Sequence, residues 1–511
     1  MNKLVRLLSS RVALFGVPIL LQAFALVMFI WKFSSYFVYF YAICTLLSVI
    51  AVLKVLTGRS NPAYKIAWII PIMLFPIFGG LIYLLFGGNK SSKRTKQKMH
   101  EIQEKMTQSL GQNGIVIQEI QVQDRSAANQ SRYIENYSFC PVYKNTTSEY
   151  LSPGEQMYER FLEKLKKAKH YIFLEYFIIE KGVMWNSILE ILVEKVKQGV
   201  DVRVIYDDVG CLFTLPYDYD KHLEKMGIQC CVFNRFVPIL SAHLNNRDHR
   251  KIAVIDGCTA FTGGINLADE YINVYEKYGH WKDSSIIIQG EGVWSFTVMF
   301  LSLWNYHRKT EEDYERFRPL TQQDEEFSSD GYVQPFTDSP LDDESIGETI
   351  YLNLINNAKR YVYINTPYLI LDTEMITALS SAAKRSVDVR IVTPHIPDKW
   401  YVHAVTRANY EILVESGVKI YEYTPGFNHA KSFAVDDELG VVGTINLDYR
   451  SLFLHFECGV WLYQTKSIFE VKEDFLKTLE QSQVITLEDC RSVKWYTRLG
   501  RIVLRAFAPL M

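Results

Sequence analysis

The sequence predicts an α/β protein built from two similar tandem domains that follow a set of transmembrane helices. Helix-like and strand-like segments alternate from about residue 146 to about residue 485, which is the pattern of an α/β fold. A group of chemically specific residues occurs twice in this region with identical spacing. Before the alternation begins, three long apolar runs distinguish residues 1–88 from the rest of the chain.

The bulk composition limits the class of protein. A chain of 511 residues suggests about three domains, and 48% hydrophobic with 22% charged residues is a globular composition. The net charge of −2 gives no basic field for nucleic acid, so we expect no nucleic-acid partner. The eight cysteines form no CxxC pair and have no histidine at zinc-ligand spacing. We therefore predict no metal site, and this cysteine usage suits a reducing compartment.

The apolar runs are Val12–Trp31, Tyr36–Leu53 and Ile66–Phe86. Each is close to the ~20 residues that a helix needs to cross a bilayer, so we predict a membrane anchor with two to three transmembrane helices. Pro71 and Pro76 lie inside the third run. A kinked span and a re-entrant hairpin both remain open there.

Basic residues near the apolar runs give conflicting indications of orientation. One cluster follows the third run and consists of Lys90, Lys93, Arg94, Lys96 and Lys98. The other lies between the second and third runs and consists of Lys54, Arg59 and Lys65. With three full spans the two clusters fall on opposite sides. Because the first is denser, we expect the domains that follow it to be cytoplasmic.

A polar connector is predicted at residues 89–145, and the first α/β domain at residues 146–315. Apolar periodicity predicts helices at 154–169 and 185–198 and strands at 171–179, 200–206 and 228–233. The second domain, at residues 346–485, repeats this order after a polar linker at 316–345. Ala168–Ile172 is echoed by Ala358–Val362 at an offset of 190, and Val200–Val204 by Val387–Ile391 at an offset of 187.

The end of the chain, residues 486–511, is predicted to be a basic amphipathic helix. Its basic residues fall at steps of three and four and are Arg491, Lys494, Arg498, Arg501 and Arg505. Aromatic and aliphatic residues occupy the other face. Such a helix suits the interface of an anionic membrane. The alternative is a helix that packs its apolar face on the protein and leaves its basic face in solvent.

The repeated group has six positions. In the first domain they are His249, Lys251, Asp256, Gly263, Gly264 and Asn266, and in the second they are His429, Lys431, Asp436, Gly443, Thr444 and Asn446. In both copies 17 positions separate the histidine from the asparagine. Buried lysines and aspartates cost free energy unless they are paired, so a purely structural repeat is disfavoured.

The spacing predicts a site for an oxyanion. His249 and Lys251 share one face of a strand, the glycines let backbone approach closely, and Asn266 supplies a further donor. Two such units place two histidines, two lysines and two asparagines around one cavity, which suits a phosphodiester. One histidine attacks phosphorus while the other protonates the leaving oxygen, so no metal or other cofactor is required. Asp256 and Asp436 are predicted to orient and polarise the histidines.

These stretches resemble the HKD motifs of the phospholipase D superfamily, and the whole chain resembles the bacterial cardiolipin synthases. The similarity extends to Asn61–Trp68, Pro76–Gly87, Leu244–Ile255, Gly443–Ser451 and the basic tail that ends in Ala508, Pro509 and Leu510. The resemblance implies two phospholipase D-type α-β-α domains that form one pseudo-twofold active site. It also implies a multi-pass protein of the bacterial plasma membrane.

The resemblance implies transfer of a phosphatidyl group between two phosphatidylglycerol molecules, giving cardiolipin and glycerol through a phosphatidyl-histidine intermediate. By analogy, His249 is the nucleophile and His429 the general acid and then base. The phosphoryl oxygens are held by Lys251, Lys431, Asn266 and Asn446. Asp283 and Glu457 match the acidic positions that follow each motif and support the histidines; the alternative is that they are ordinary strand-end carboxylates.

Other activities of the same motifs stay open at this point. A hydrolase would use water as acceptor, and a related transferase another alcohol. A nuclease is disfavoured by the membrane anchor and the net charge, and an inactive scaffold by two complete motifs. We also hypothesise that Phe236–Leu240, an apolar segment just before the first motif, dips toward the bilayer so that a lipid headgroup reaches the histidines.

Overall fold

The computed structural model describes residues 37–58, 61–76, 78–87, 93–112, 114–235, 246–319, 331–342 and 344–510, with a few positions between residues 20 and 32. The hypothesis about Phe236–Leu240 and most of the first apolar run, Val12–Trp31, therefore lie outside the described residues.

From Phe37 onward, six helices precede the first domain in the described residues. They are α1 (Phe37–Thr57), α2 (Pro62–Leu74), α3 (Gly79–Phe86), α4 (Lys93–Leu110), α5 (Gly114–Gln123) and α6 (Arg125–Ser138). Within the described residues one helix, Val38–Thr57, is long and apolar enough to cross a bilayer. The third apolar run is not one continuous helix, because α2 ends at Leu74 and α3 begins at Gly79.

The first domain alternates strands and helices. Its elements are β1 (Thr146–Leu151), α7 (Gly154–Lys167), β2 (Tyr171–Tyr176), α8 (Val183–Lys197), β3 (Asp201–Asp207), α9 (Tyr219–Lys225), β4 (Gln229–Phe233), β5 (Arg247–Asp248), β6 (Lys251–Ile255), β7 (Thr259–Gly263), β8 (His280–Lys282), β9 (Ser285–Gly290) and α10 (Val293–Arg308). Seven strands form a sheet in the order β1-β9-β7-β6-β2-β3-β4.

The second domain and the tail continue the alternation. Their elements are β10 (Tyr332–Asp338), α11 (Ile346–Asn357), β11 (Tyr361–Asn365), α12 (Thr373–Lys384), β12 (Asp388–Pro394), α13 (Trp400–Glu415), β13 (Lys419–Tyr423), β14 (Gly426–Asn428), β15 (Ser432–Val435), β16 (Leu439–Gly443), α14 (Tyr449–Phe453), β17 (His455–Tyr463), α15 (Lys466–Glu480), β18 (Ser482–Ile485), α16 (Leu487–Arg491) and α17 (Trp495–Ala506).

The second sheet repeats the first strand by strand. Its order is β10-β17-β16-β15-β11-β12-β13, with β18 added at the edge. Each strand has the same rank as its counterpart in the first sheet, so the predicted tandem α/β architecture is confirmed. The central strand β2 is buried along its whole length because α7 and α8 cover one face and α10 covers the other, where Phe300 stacks on Phe173 at 4.6 Å.

The first strand of the second sheet changes a predicted boundary. Residues 316–345 were predicted to be a linker, yet β10 (Tyr332–Asp338) lies within them and pairs with β17. Its only charged side chain is Asp338 at the end, and the strand is almost entirely buried. The polar composition before it masked a strand whose apolar residues are interrupted by Gln334 and Pro335.

The connector is also more structured than a simple spacer. Val116, Ile117 and Ile120 of α5 are buried in the core of the second domain. Ala127 and Ile134 of α6 join the same core. The connector therefore packs against both domains, because its helix α4 contacts the first domain, where Trp294 Nε1 donates to the carbonyl of Ser109 at 3.0 Å.

The C-terminal helix exposes its apolar side. Trp495 is 76% exposed, Leu499 53% and Ile502 58%. On the other side of the helix, Arg498 pairs with Glu411 of α13 at 3.5 Å. The alternative in which the apolar face packs on the protein is therefore wrong.

Candidate active site

The two motifs are held by strands that cross between the domains. The strand that leads into the first motif, β5, pairs in parallel with the start of β17 in the second domain. The strand that leads into the second motif, β14, pairs in parallel with β8 in the first domain. Each motif histidine thus lies directly after a strand that pairs with the opposite domain.

Backbone hydrogen bonds continue this exchange to the histidines themselves. The amide of His249 donates to the carbonyl of Phe456 at 2.9 Å, and the amide of His429 donates to the carbonyl of Lys282 at 2.7 Å. The next residue after each of these carbonyls is an acid, Glu457 or Asp283.

Each histidine ring contacts that acid. His249 Nδ1 lies 2.9 Å from Glu457 Oε1, and His429 Nδ1 lies 2.6 Å from Asp283 Oδ2. Both carboxyl groups are completely buried. The alternative of ordinary strand-end carboxylates is thereby excluded by the geometry. With Nδ1 bonded to the acid, Nε2 is the nitrogen left for chemistry on a ligand.

Asp256 and Asp436 do not contact the histidines, so the prediction that they orient the rings is wrong. The Asp256 carboxylate accepts from the backbone amides of Lys169, His170 and Tyr171 at 2.7–2.9 Å. It lies five positions beyond the motif lysine along an extended strand, a span of roughly 16 Å at about 3.3 Å per residue.

Asp436 repeats this arrangement in the second domain. Its carboxylate accepts from the amides of Lys359, Arg360 and Tyr361 at 2.6–2.8 Å. These amides begin the central strand β11, as those bound by Asp256 begin β2. The motif aspartate therefore anchors the start of the neighbouring strand, and it is a structural residue.

The two lysines lie within the site. Lys251 Nζ donates to the carbonyl of His249 at 2.6 Å, and Lys431 Nζ donates to the carbonyl of His429. Burial lowers the pKa of Lys251 to about 8 and that of Lys431 to about 7. An anion placed between these ammonium groups would be stabilised by both charges.

Burial also sets the protonation of the histidine pairs. It lowers the pKa of His249 well below its usual value, and the charges of Lys251, His455, Lys431 and His429 add to this. It lowers the pKa of His429 to about 4, and it raises the pKa of Glu457 to about 8. Lys431 and His429, two of the residues whose charges lower the pKa of His249, belong to the second motif.

The motif asparagines differ in what they contact. Asn266 Oδ1 accepts from the amide of Ile178 at 3.0 Å, and its Nδ2 donates to the Tyr271 hydroxyl at 2.7 Å. Asn446 Oδ1 is buried and has no hydrogen-bond partner within the described residues. Asn266 is therefore fixed by protein groups, whereas Asn446 keeps a free polar atom in the site.

The glycines of the motif tails allow close backbone contacts, as predicted. A Cβ at Gly263 would lie 2.5 Å from the carbonyl oxygen of Ser284, and one at Gly443 would lie 2.6 Å from that of Cys458. Gly263 also has a φ of 146°, which favours glycine.

The next tail position explains why one copy has glycine and the other threonine. A Cβ at Gly264 would lie 2.0 Å from Asp283 Oδ1, so a side chain there would displace the acid. Thr444 instead donates its hydroxyl to Glu457 Oε2. Asp283, which is shorter than Glu457, fills the space that the Thr444 hydroxyl occupies in the second domain.

His455 is a site residue that the motif spacing did not indicate. Its ring centroid lies 5.6 Å from that of His249, and both of its nitrogens are buried without a hydrogen bond in the described part of the chain. It stands two residues before Glu457 on β17, so the two side chains share one face of the strand. That alternation was the signal available in the sequence.

The cluster of His249, His455 and Glu457 also has the side chains of a metal site. His249, His455 and Glu457 offer ligand atoms that lie within 4.8 Å of one another. Burial lowers the pKa of His455 well below its usual value, and the charges of Arg450, Lys251, Arg247 and Lys399 lower it further. This positive surrounding favours an anion over a cation at the same place. The prediction of a metal-free reaction stays a prediction.

Aromatic rings, which the sequence reasoning also missed, enclose the histidines. Phe177 lies 5.1 Å from the ring of His249, and Tyr271 and Trp281 lie 5.5 Å and 5.2 Å from the ring of His429. These rings exclude water and lower the polarity around the imidazoles. They account for part of the burial that keeps both histidines neutral.

Comparison with known proteins places this geometry in a family. The family described as "Cardiolipin synthase, PLD-like domain" matches residues 161–291 and 351–479, one segment in each α/β domain. The family described as "Phospholipase_D-nuclease N-terminal" matches residues 46–88. A cardiolipin synthase of Halalkalibacterium halodurans is 33% identical over 456 residues, which cover 89% of this chain and 90% of the relative.

The chain belongs to the bacterial cardiolipin synthase family of the phospholipase D superfamily. An uncharacterized protein of Streptococcus mutans is 44% identical over 461 residues, covering 90% of this chain and 99% of the relative. The crystal structure of phosphatidylserine synthase from Haemophilus influenzae Rd KW20 matches with a TM-score of 0.52 at 16% identity. That match covers 75% of this chain and 98% of the solved chain, and it supports the fold alone.

Proposed function

We propose that the protein synthesises cardiolipin by transferring a phosphatidyl group from one phosphatidylglycerol molecule to another. Membership of the family makes it a phosphatidyltransferase associated with a membrane. The observation that carries the proposal is the reciprocal pairing of each motif histidine with a buried acid of the opposite domain. This pairing supports a single pseudo-twofold site to which both motifs contribute.

In the first step one histidine attacks the phosphorus of the donor lipid through Nε2. An N–P bond forms, the P–O bond to the headgroup glycerol breaks, and the glycerol oxygen takes a proton from the other histidine. We assign His249 as the nucleophile and His429 as the acid. A bound phosphodiester adds a negative charge beside His429 and raises its pKa, which favours the protonated form that the step needs.

In the second step the primary hydroxyl of another phosphatidylglycerol approaches from the side that glycerol has left. It gives its proton to His429, its oxygen bonds to phosphorus, and the N–P bond breaks. The products are cardiolipin and the free histidine. Each step exchanges a P–O bond and an N–P bond, so the overall reaction replaces one phosphodiester bond by another and is reversible.

The other site residues stabilise the charge that develops on the phosphoryl oxygens. Lys251 and Lys431 lie beside the histidines and supply positive charge. Asn446 supplies a side-chain amide, and its free buried oxygen is suited to a hydroxyl of the glycerol headgroup. Asn266 contributes mainly by fixing Tyr271 and the backbone at Ile178.

The test is to reconstitute the full chain in vesicles that contain phosphatidylglycerol as the sole phospholipid. We expect cardiolipin and free glycerol in equal amounts, and incorporation of labelled glycerol into phosphatidylglycerol by the reverse of the first step. Phosphatidic acid as the only lipid product would show a hydrolase instead. Product formation only after another alcohol is added would show a different acceptor.

The same proposal includes the location. The protein lies in the plasma membrane of a bacterium, crosses it more than once, and keeps its two α/β domains on the cytoplasmic side. The basic residues at Lys93–Lys98 support this orientation. Helix α17 lies in the headgroup region, which is supported by the exposure of Trp495, Leu499 and Ile502. Digestion by a protease added outside intact cells should spare both domains.

A further inference from the structure

The short helices α2 and α3 carry an inference about how the chain enters the membrane. We propose that residues 61–87 form a re-entrant hairpin that reaches only part-way into the bilayer and returns to the side of the catalytic domains. The inference does not depend on the reaction that the enzyme catalyses. For the third apolar run, Ile66–Phe86, a kinked span and a re-entrant hairpin were both open, and the proposal selects the hairpin.

The lengths of the helices are the first observation. Helix α2 has 13 residues and α3 has 8. At 1.5 Å per residue they are about 20 Å and about 12 Å long, and a hydrocarbon core is about 30 Å thick. Neither helix alone crosses it, whereas α1 with 21 residues does.

The direction of the two helices is the second observation. A Cβ at Gly79 would lie 2.6 Å from the Cα of Ile72, and the ring of Tyr83 lies 5.4 Å from that of Trp68. Tyr83 follows Gly79 by four residues on α3, whereas its contact Trp68 precedes Ile72 by four residues on α2. The helices therefore run antiparallel. Gly79 is required at this crossing because a side chain would collide with the backbone of α2.

The depth of the turn follows from its contact with α1. Ser48 Oγ donates to the carbonyl of Pro76 at 2.7 Å, and a Cβ at Gly80 would lie 2.9 Å from the same Oγ. Ser48 precedes the end of α1 at Thr57 by nine residues, or about 14 Å of helix. The turn thus lies near the middle of α1.

The open end of the hairpin is attached to the catalytic part. Asn61 Nδ2 donates to Asp372 Oδ2 of the second domain at 2.9 Å. Ala63 packs in a cluster that contains Ile370 and Ala508, and Leu510 packs against the cluster of Trp68. The C-terminal segment and the second domain therefore hold the hairpin at the end where α1 stops.

This arrangement removes the conflict between the two basic clusters. Helix α1 ends at Thr57 on the side of the catalytic domains, and the hairpin brings α4 back to the same side. Lys54 and Lys65 then share one membrane face with Lys93 and Arg94. A full span through the third run would separate them. Both clusters obey the preference of basic residues for one side.

The experiment is site-directed labelling of the full chain in vesicles of defined orientation. Single cysteines are introduced by Thr57→Cys, Phe75→Cys and Gln97→Cys, with Lys197→Cys as the reference for the catalytic side. A membrane-impermeant maleimide is added outside, and the native chain gives the background of its own eight cysteines. Each variant is first shown to retain phosphatidyl transfer or, if none is measurable in the native chain, its native unfolding temperature.

We expect positions 57, 97 and 197 to be labelled from the same side, and position 75 to be labelled only after detergent is added. Labelling of position 57 from the side opposite to positions 97 and 197 would overturn the hairpin and restore a full span. Labelling of position 75 from the opposite side without detergent would do the same. Since the readout is accessibility, these outcomes are independent of whether cardiolipin is the product.

Discussion

The two α/β domains have the same strand order and the same motif, yet they surround their histidines with different chemistry. His249 is bonded to Glu457, which also receives the hydroxyl of Thr444. His429 is bonded to Asp283, which occupies the space beside Gly264. In both cases the acid belongs to one domain and the histidine to the other. The difference teaches that acid length and the size of the tail residue are matched, so they have to be changed together.

A second difference lies beneath the motif strands. In the first domain Arg250 Nε pairs with Glu175 Oε1 at 2.7 Å, next to Asp248. In the second domain Asn428 Nδ2 donates to Asn365 Oδ1 at 3.1 Å instead. Buried polar groups require partners, but the partners need not be charged. A buried polar pair is thus common to both domains, and its ionisable members are particular to the first domain.

The largest expected effect tests whether the two histidines serve one phosphate. His249→Ala and His429→Ala should each lower kcat by about 10⁴-fold or more, and the double variant should be little worse, because groups that act as a unit are not additive. Steady-state cardiolipin formation in vesicles checks this. A double variant that lost the product of the two single losses would indicate two independent sites.

The same variants separate the roles of the two domains. With labelled phosphatidylglycerol and rapid quenching, His429→Ala should still trap some phosphatidyl-enzyme, and His249→Ala should trap none. Retention of the label in His249→Ala alone would reverse the assignment of nucleophile and acid. Peptide mapping of the trapped adduct identifies the histidine directly.

The next effect compares the acids with the motif aspartates. Glu457→Gln and Asp283→Asn should lower kcat by about 10²–10⁴-fold, the range seen when a carboxylate that orients a histidine is neutralised. Asp256→Asn removes charge from three amide hydrogen bonds far from the site. It should lower the unfolding temperature, while kcat of the folded enzyme changes less than about threefold. A group far from the active site does not touch the transition state. Equal losses of kcat would refute the structural role of Asp256.

A smaller effect concerns the matched tail positions. Gly264→Ala should displace Asp283 and lower kcat by about 10²-fold, whereas Thr444→Gly removes one hydrogen bond to Glu457 and should cost about 10-fold. The control for Gly264→Ala is Glu457, which the substitution does not contact, and the control for Thr444→Gly is Asp283. If Gly264→Ala were as active as the native enzyme, the packing explanation for glycine at this position would be incorrect.

The smallest effect is a change in pH dependence. The pKa of Lys431 is about 7, so its charge is lost as pH rises through neutrality, and kcat/KM for phosphatidylglycerol should fall above that pH. Lys431→Arg keeps its charge and should remove this decline at the cost of a lower maximum. An unchanged profile in Lys431→Arg would show that another group titrates.

Unfolding does not account for that decline, because the sign is opposite. The unfolded chain has a lysine pKa near 10.5 and binds more protons than the folded chain between pH of about 7 and 10.5. Lys431 therefore makes the fold more stable as pH rises through this range. Thermal unfolding measured across the same pH values separates the two effects.

Much of the site was accessible from the sequence, but the partners of the histidines were not. The spacing of His249 and Lys251 on a strand was sufficient to place both in the site, and Asp283 and Glu457 were indicated only by resemblance. The contact of His249 with Glu457 joins residues 208 positions apart. No local periodicity encodes such a contact. The one signal for His455, its spacing of two residues from Glu457, is not repeated before Asp283, where Trp281 holds the equivalent position.

The sequence by itself determined the duplication, the α/β class and the family, because each depends on local composition and on spacing that repeats. The tertiary structure decided which acid contacts which histidine. It also showed that Asp256 and Asp436 bind the start of a neighbouring strand and do not contact the histidines, and that helices α2 and α3 of the third apolar run are antiparallel. These outcomes depend on hydrogen bonds and close contacts between distant segments. Hydrophobicity along the chain is the same for a span and for a hairpin, and only the contacts of Ser48, Gly79 and Tyr83 distinguish them.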